Sequence, residues 1–142
     1  MFAITICGCN PHVQITEYSN IRIGSYSIEK SPRSTYLNYL LSKKRLDLDK
    51  FTETVDYKVY TSNTFGIPLD SMRDFSMENF QDLTMDQWNL MFDKITNEQS
   101  DSVYIETLKE VITKDSSTLY VNTRIIRLIH DNGKWKIYNI EK

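Results

Sequence analysis

The sequence predicts an α+β fold in which N-terminal helices pack on a curved antiparallel sheet that ends in a three-stranded meander. Two observations support this prediction. Ser31-Pro32 and Thr84–Gln87 both have the residue types that begin helices, a serine cap followed by proline and a Thr-x-x-Gln capping box. Asn132-Gly133 lies between two β-rich runs and is a strong short signal for a hairpin.

The length and composition of the chain are those of one soluble globular domain. It has 142 residues, of which 40% are hydrophobic and 25% are charged. A chain of about this length buries roughly 70% of its unfolded surface, so its core needs no disulfide or metal for stability. We therefore expect a single core.

Both cysteines lie in the first nine residues. The apolar run that ends in Ile6-Cys7-Gly8-Cys9 resembles a bacterial lipoprotein signal, with Cys9 as the lipid-attachment site and residues 1–9 as a remnant signal and lipobox. This resemblance implies a lipid-anchored, extracytoplasmic protein of the cell envelope. Eight residues precede Cys9, without a basic region. A short apolar start with two free thiols, or a first strand with reactive cysteines, is the alternative.

The next hundred residues predict a tether followed by helices and strands. Residues 10–30 are polar with scattered isoleucine and tyrosine, and we expect a tether, or a tether that ends in a short strand. A helix begins at Ser31-Pro32 and ends in the cations Lys43–Arg45. A shorter helix follows Asp47 as its cap. The alternation in Tyr57–Thr61 predicts a strand.

The C-terminal half predicts one more helix and the meander. Thr84–Ile95 is expected to be a helix with a core face of methionine and aromatic residues. Val103–Thr113 fits a strand with a bulge better than a helix, and Thr118–Ile129 fits one strand with a second bulge at Ile125-Ile126. Lys134–Ile140 completes the hairpin. The Trp88 helix should meet the sheet face that carries Leu119, Val121 and Ile125.

The order of these elements and the final segment Asp131–Tyr138, which reads DNGKWKIY, resemble the NTF2-like superfamily. The resemblance covers residues 31–142, which we take as the NTF2-like domain. It implies a cone-shaped fold in which a sheet wraps around helices, often with a cavity between them. Envelope lipoproteins, secretion and conjugation assembly domains and steroid isomerase-like enzymes share this fold, so the fold alone does not define the function.

Several kinds of catalytic site lack the residues that they need. The chain has two histidines, His12 in the expected tether and His130 beside a hairpin turn, so a Ser-His pair or a histidine metal cluster is not expected. The four glycines include no phosphate-binding Gly-x-Gly arrangement. We expect no cofactor, no metal and no catalytic residues.

Carboxylate chemistry is the remaining enzymatic alternative. Isomerase-like members of the superfamily use a cavity acid as the base, with its pKa set by an apolar environment. The candidate acids here belong to no motif that assigns one of them this role: Asp56, Asp74, Asp93, Glu106 and Glu110. A small steroid isomerase-like enzyme is therefore the alternative function.

A cavity in this fold would be lined by tyrosines from the first helix and the sheet. These tyrosines are the candidate ligand-binding residues, although aromatic packing also explains each of them: Tyr36, Tyr39, Tyr104, Tyr120 and Tyr138.

The charge is distributed unevenly along the chain. The net charge is −2, but residues 51–101 contain 3 basic and 10 acidic residues. No basic stripe with interleaved aromatics is present, so we expect no nucleic-acid partner. The leading hypothesis is a non-catalytic, lipid-anchored envelope protein that binds a protein partner or a small ligand. A sharper version is an immunity or assembly protein that presents its acidic segment to a basic partner.

Overall fold

A computed structural model describes residues 2–7, 13–95 and 102–141, with side chains described for 13–90 and 102–141. Two strands come first, then the helices, then four more strands. The strands are β1 Phe2–Cys7, β2 Gln14–Ile23, β3 Val103–Ile112, β4 Ser116–Val121, β5 Arg124–Asp131 and β6 Lys134–Glu141. The helices are α1 Pro32–Arg45, α2 Leu48–Thr54, α3 Tyr57–Phe65 and α4 Met77–Ile95, with a 3₁₀ turn at Leu69–Met72.

The six strands form one antiparallel sheet in chain order. The helices are inserted between β2 and β3, and α1 packs against β3, β4 and β6. The predicted α+β class, with helices on an antiparallel sheet that ends in a meander, is therefore confirmed. The helices are not N-terminal, however, because β1 and β2 precede them, and four strands follow them, not the three that the sequence predicts. The helix α4 packs on α2 and α3, so the expectation that Trp88 meets the sheet is wrong. The Trp88 ring instead lies 5.5 Å from the Phe51 ring of α2.

The first two predicted helices are confirmed together with their caps. The Ser31 hydroxyl accepts a hydrogen bond from the Ser34 amide at 3.1 Å, and Pro32 follows it as the first helical residue. Asp47 caps α2 by accepting from the Lys50 amide at 3.1 Å. These local bonds satisfy amides that have no partner inside the helix, which is why a sequence pattern can locate both starts.

The segment Tyr57–Thr61, expected as a strand, lies in helix α3, so that prediction is wrong. Asp56 caps this helix by accepting from the Val59 amide, and Gly66 ends it with a φ of 67°. Tyr57, Tyr60 and Thr61 lie at i, i+3 and i+4, so they share one helix face. In a segment this short, Tyr57, Val59 and Thr61 also satisfy the alternation typical of a strand.

The helix α4 starts earlier than the Thr84 capping box predicts. The Ser76 hydroxyl accepts from the Asn79 amide at 3.1 Å, while the Asn79 side chain accepts from the Ser76 amide at 3.0 Å. This reciprocal pair is the real capping box. Thr84 lies inside the helix, where its hydroxyl donates to the Phe80 carbonyl at 2.7 Å.

The expected tether of residues 10–30 is wrong over Gln14–Ile23, which form β2 between β1 and β3. Ile21 of this strand is buried in the core, so the segment contributes to folding. Buried and exposed residues alternate along β3, but two exposed residues, not one, separate the buried Ile105 and Leu108. We call this interruption the phase change. Asn20, whose φ is 52°, lies opposite this change. The predicted strand is confirmed for β3, but the expected bulge is wrong, because the pairing of β3 with β2 keeps one register from Val103 to Ile112.

The expected single strand Thr118–Ile129 is wrong, because it contains two strands and a tight turn at Asn122-Thr123. Val121 pairs with Arg124 across this turn, and Asn122 has a φ of 55°. The residue that enters the core after the turn is Ile126, whereas the expected Ile125 is only half-buried. The alternation breaks at Ile125-Ile126 because the chain reverses, so no bulge is needed there.

The last hairpin is confirmed. Asp131 pairs with Lys134, and Asn132 and Gly133 both have positive φ, at 51° and 76°. A type I′ turn requires this combination. The outer edge of β6 is covered by the α2–α3 segment, because the Asp56 amide donates to the Ile137 carbonyl at 2.8 Å. Asn63 likewise donates to the Tyr138 carbonyl at 2.7 Å, which protects this edge from pairing with another chain.

Candidate ligand-binding cleft

The helices enclose an open cleft with a volume of about 400 Å³. This volume lies within the range of about 300–1,000 Å³ that is common for small-molecule sites. Its described lining residues come from the four helices: the end of α1 supplies lysines, α2 and α3 supply aromatic and hydroxyl groups, and α4 closes one side. The cleft therefore lies within the helical layer, on the side of the helices that α4 covers.

The floor of the cleft is an aromatic cluster centred on Phe51, which is only 3% exposed. Its ring stacks on Phe80 at a centroid distance of 6.0 Å and meets the edges of Trp88 at 5.5 Å and Tyr60 at 5.9 Å. Tyr39 lies beneath it at 5.3 Å. Such stacked and edge-on geometries are the favoured arrangements of aromatic pairs. Four helices thus converge on one apolar surface.

The polar groups of the floor already have partners. The hydroxyls of Tyr39 and Tyr60 share a hydrogen bond of 2.8 Å. Burial raises the pKa of both phenols, and for Tyr39 the neighbouring Tyr60 raises it further. Both phenols are therefore neutral at physiological pH. The Thr84 hydroxyl is bonded to its own helix. The floor consequently presents apolar surface to a ligand.

The rim of the cleft is basic. Lys43 and Lys44 from the last turn of α1 both line it, together with Thr64, Phe65 and Gln87. Lys43 lies 5.2 Å from the centroid of the Tyr39 ring. Although much of its side chain is exposed, its surroundings lower its pKa, first through desolvation and then through repulsion by Arg124. Lys44 donates a hydrogen bond to the Ser102 carbonyl at 2.9 Å.

The five tyrosines expected to line one cavity are not brought together, so that geometric expectation is wrong. Tyr36 and Tyr39 are buried in the core, where their rings stack at 6.1 Å. Tyr104 and Tyr120 are 49% and 41% exposed, each between core residues, and therefore lie on the sheet face away from the helices. Tyr138 is half-buried on the edge strand. Whether any of them binds a ligand stays a prediction.

The candidate acids are also dispersed. Glu110 is 4% exposed, and its carboxylate accepts a hydrogen bond from the Arg33 amide at 2.8 Å. Burial raises the pKa of Glu110, against the lowering effect of this hydrogen bond and of the Arg33 charge. This contact between β3 and the start of α1 lies about 17 Å along the helix from Lys44. Asp56 is a helix cap, Asp74 and Glu106 are exposed, and Asp93 lies outside the described side chains.

The features expected at the N-terminus are described only in part. Phe2–Cys7 form β1, which pairs with β2, whereas Cys9 and His12 lie outside the described residues. His130 is exposed and lies 4.8 Å from the Trp135 ring. In the described part of the chain, no helix is both long and apolar enough to cross a membrane. Nor does that part contain a cluster of three potential metal ligands.

The acidic segment forms a stripe on the outer face of α4. Glu78, Asp82 and Asp86 follow one another at intervals of four residues, and all three are exposed. Apolar residues flank this stripe, with Met85 42% and Leu90 87% exposed. Like charges at this spacing repel one another by a few tenths of a kcal/mol per pair. A basic partner would relieve that repulsion.

The reasoning from sequence missed most of the cleft. The pattern in Thr84–Ile95 predicts a core face of methionine and aromatic residues, but nothing local shows that this face leaves a space beside a neighbouring helix. The Phe51, Tyr60, Phe80 and Trp88 set is spread over 38 residues and three helices. The available signal was the concentration of aromatics between Phe51 and Trp88, which points to an aromatic cluster without locating an opening.

Comparison of the chain with protein-family models, with curated protein sequences and with solved structures found no match.

Proposed function

We propose that this protein is a non-catalytic binding protein that holds a small, largely apolar molecule in the helical cleft. The observation that carries this proposal is the opening of about 400 Å³ above an aromatic floor. An apolar cleft bordered by a few polar groups is typical of small-molecule sites. A ligand would contact Phe51, Phe80 and Trp88, which line the opening.

The proposed scaffold is an NTF2-like domain. The architecture supports this, because a helical layer precedes and packs on the long antiparallel meander β3–β6. The phase change beside Asn20 in β2 and β3 is consistent with a sheet that bends around its helices. The fold proposal and the ligand proposal are independent of each other, because the lining of the cleft comes from the helices.

The absence of a catalytic role is proposed from the chemistry of the lining. The isomerase-like alternative requires a carboxylate in the cavity. The described lining residues supply ammonium, hydroxyl, amide and aromatic groups, and none of them is a carboxylate or a histidine. The buried carboxylate that the described residues do contain, Glu110, caps α1 at its opposite end. This arrangement favours binding over proton transfer.

A titration with 1-octanol, followed by isothermal calorimetry, tests the binding proposal. We expect saturable binding with a Kd of about 1 mM or tighter, which corresponds to about −4 kcal/mol. Gln87→Trp should weaken it by filling the cleft, whereas Asn89→Trp, on the exposed face of the same helix, should not. Binding that is absent, or that both variants retain equally, would rule out the cleft as the site.

We propose a second candidate function, the docking of a basic protein partner on the outer face of α4. The row Glu78, Asp82 and Asp86 with exposed apolar flanks is the observation that favours it. A synthetic helical peptide of lysine and leucine should bind the parent at low salt and lose affinity as salt rises. Neutralising the three acids to their amides should abolish this binding. A salt-independent affinity would contradict the proposal.

Location in the cell envelope through lipid on Cys9 is a separate proposal, which is supported by the sequence pattern alone. Maturation before Cys9 would remove β1, which pairs with β2 along Phe2–Cys7. The mature protein would then have β2 at its sheet edge. Expression of Cys9→Ser should move the protein from the membrane fraction to the soluble fraction. If parent and variant fractionate alike, this proposal fails.

A further inference from the structure

We infer that the ligand of this cleft is an amphipathic carboxylate, with its apolar body on the aromatic floor and its carboxylate at Lys43 and Lys44. This inference rests on the proposed function, and it adds the chemical class of the ligand. The two parts of the lining differ in character, because the floor is aromatic and the two cations both lie at the α1 rim. A molecule that matches both parts has an apolar body and an anionic end.

The positions of the two lysines support an anion at this rim. They are consecutive residues in the last turn of α1, and both line the cleft. Cations in the last turn of a helix also stabilise the helix dipole. That role does not require both side chains to border an aromatic cleft. Lys44 is additionally bonded to the Ser102 carbonyl, which holds its ammonium in place.

The charge balance around Lys43 points the same way. Arg124 is close enough to Lys43 to lower its pKa by repulsion, and Arg124 also lies close to Tyr36 and Tyr39. Within residues 13–90 and 102–141, no carboxylate forms an ion pair with Lys43 or Arg124. An arriving anion would therefore meet positive charge that the described residues do not neutralise.

The hydrogen-bonding groups of the floor do not compete for this role. Tyr60 is bonded to Tyr39. The Thr84 hydroxyl is bonded to the Phe80 carbonyl. A polar ligand group that was buried on the floor would have to displace these bonds, whereas at the lysines it gains charge-assisted ones. The anionic end is therefore expected at the rim.

Three probes with the same alkyl chain test this inference: octanoate, 1-octanol and octyltrimethylammonium. Octanoate should bind the parent about threefold to tenfold more tightly than 1-octanol, as expected for an ion pair at a partly exposed rim. Octyltrimethylammonium should bind more weakly than both. The preference for octanoate over 1-octanol should shrink when the salt concentration is raised from about 50 to about 500 mM, because added salt screens the charge of the lysines.

Lysine-to-methionine variants test whether Lys43 and Lys44 cause the preference for octanoate. Lys43→Met with Lys44→Met should make octanoate and 1-octanol bind about equally, because the charge that distinguishes the two probes is gone. Lys114→Met removes one charge from an exposed turn and should leave the preference unchanged. The salt dependence of the parent supplies the same information if the double variant does not fold.

The outcomes separate the inference from the proposed function. If 1-octanol binds in the cleft but octanoate binds no more tightly, the inference is overturned and the proposed function stands. Tighter binding of octyltrimethylammonium than of octanoate also overturns the inference. So does a preference for octanoate over 1-octanol that persists in the double variant. If none of the three probes binds, the proposed function itself fails.

Discussion

Replacing Phe51 by alanine should destabilise the protein by about 3 kcal/mol. Loss of a fully buried phenylalanine side chain typically costs about 3–5 kcal/mol. Phe51 is 3% exposed and contacts four aromatic rings from three other helices. The lower end of the range applies because Phe51 also lines the cleft, so its removal enlarges an existing opening instead of creating a closed void. The variant should remain folded, since domains are stable by about 5–15 kcal/mol.

Urea unfolding followed by far-ultraviolet circular dichroism measures this loss without depending on the fluorescence of the adjacent Trp88. The matched control is Leu90→Ala on the outer face of α4, where the side chain is 87% exposed. The control should change the free energy of unfolding by no more than about 0.5 kcal/mol. If Phe51→Ala costs less than about 1 kcal/mol, the aromatic cluster does not hold the four helices together.

Substitutions at three further positions test individual parts of the fold. Ser76→Ala should lower the free energy of unfolding, measured in urea, by about 1 kcal/mol, because it removes the cap of α4. An unchanged free energy of unfolding would indicate that the helix starts at Thr84 instead. Asn122→Val should lower the free energy of unfolding by about 1–2 kcal/mol, whereas Asn122→Gly should change it little, because φ at this position is positive. Equal effects of the two variants in thermal unfolding would contradict the turn. Glu110→Gln keeps an acceptor for the Arg33 amide. Burial raises the pKa of Glu110 above 4.5. The free energy of unfolding of the parent should therefore fall relative to that of the variant as the pH rises from 4.5 through the raised pKa. A free energy of unfolding that rises relative to the variant over this pH range would contradict the burial of the Glu110 charge.

The parts of the fold that were predicted correctly are those fixed by local bonds. The starts of α1 and α2 depend on the side chains of Ser31 and Asp47 bonding to amides three residues later. The final hairpin depends on positive φ at Asn132 and Gly133, which few other residue pairs adopt as readily. In each case, residues within four positions of one another determine the geometry, so a short sequence pattern is sufficient.

The errors arose where two local patterns compete or where distant contacts decide. Thr84-x-x-Gln87 has the residues of a capping box, but the Ser76–Asn79 pair already starts the helix upstream. Asn122-Thr123 is a weaker turn signal than Asn-Gly, so the sequence pattern predicts one strand where the chain forms two. The strand β2 was assigned to a tether because its polar residues match an exposed segment. Its place in the sheet depends on pairing with β3, which lies about 90 residues further along the chain.

The candidate site was predicted less well than the fold. The expectation of a tyrosine-lined cavity came from the family resemblance. Tyr36 and Tyr39 instead fill the core, and Tyr104 and Tyr120 lie on the sheet face away from the helices. The cleft instead depends on how α4 sits on α2 and α3. No periodicity within a single helix encodes the distance between two packed helices, so the opening between them could not be read from the sequence.

Backbone amide chemical shifts recorded during an octanoate titration test the central claim most directly, because they locate the bound ligand. We expect saturable shifts concentrated around the α1 lysines and the facing turns of α3 and α4, centred on Lys43, Thr64 and Gln87. The sheet face that carries Tyr104 and Tyr120 should remain unchanged and serves as the internal reference. Shifts that are largest on that face, or that never saturate, would contradict the assignment of the cleft as the binding site.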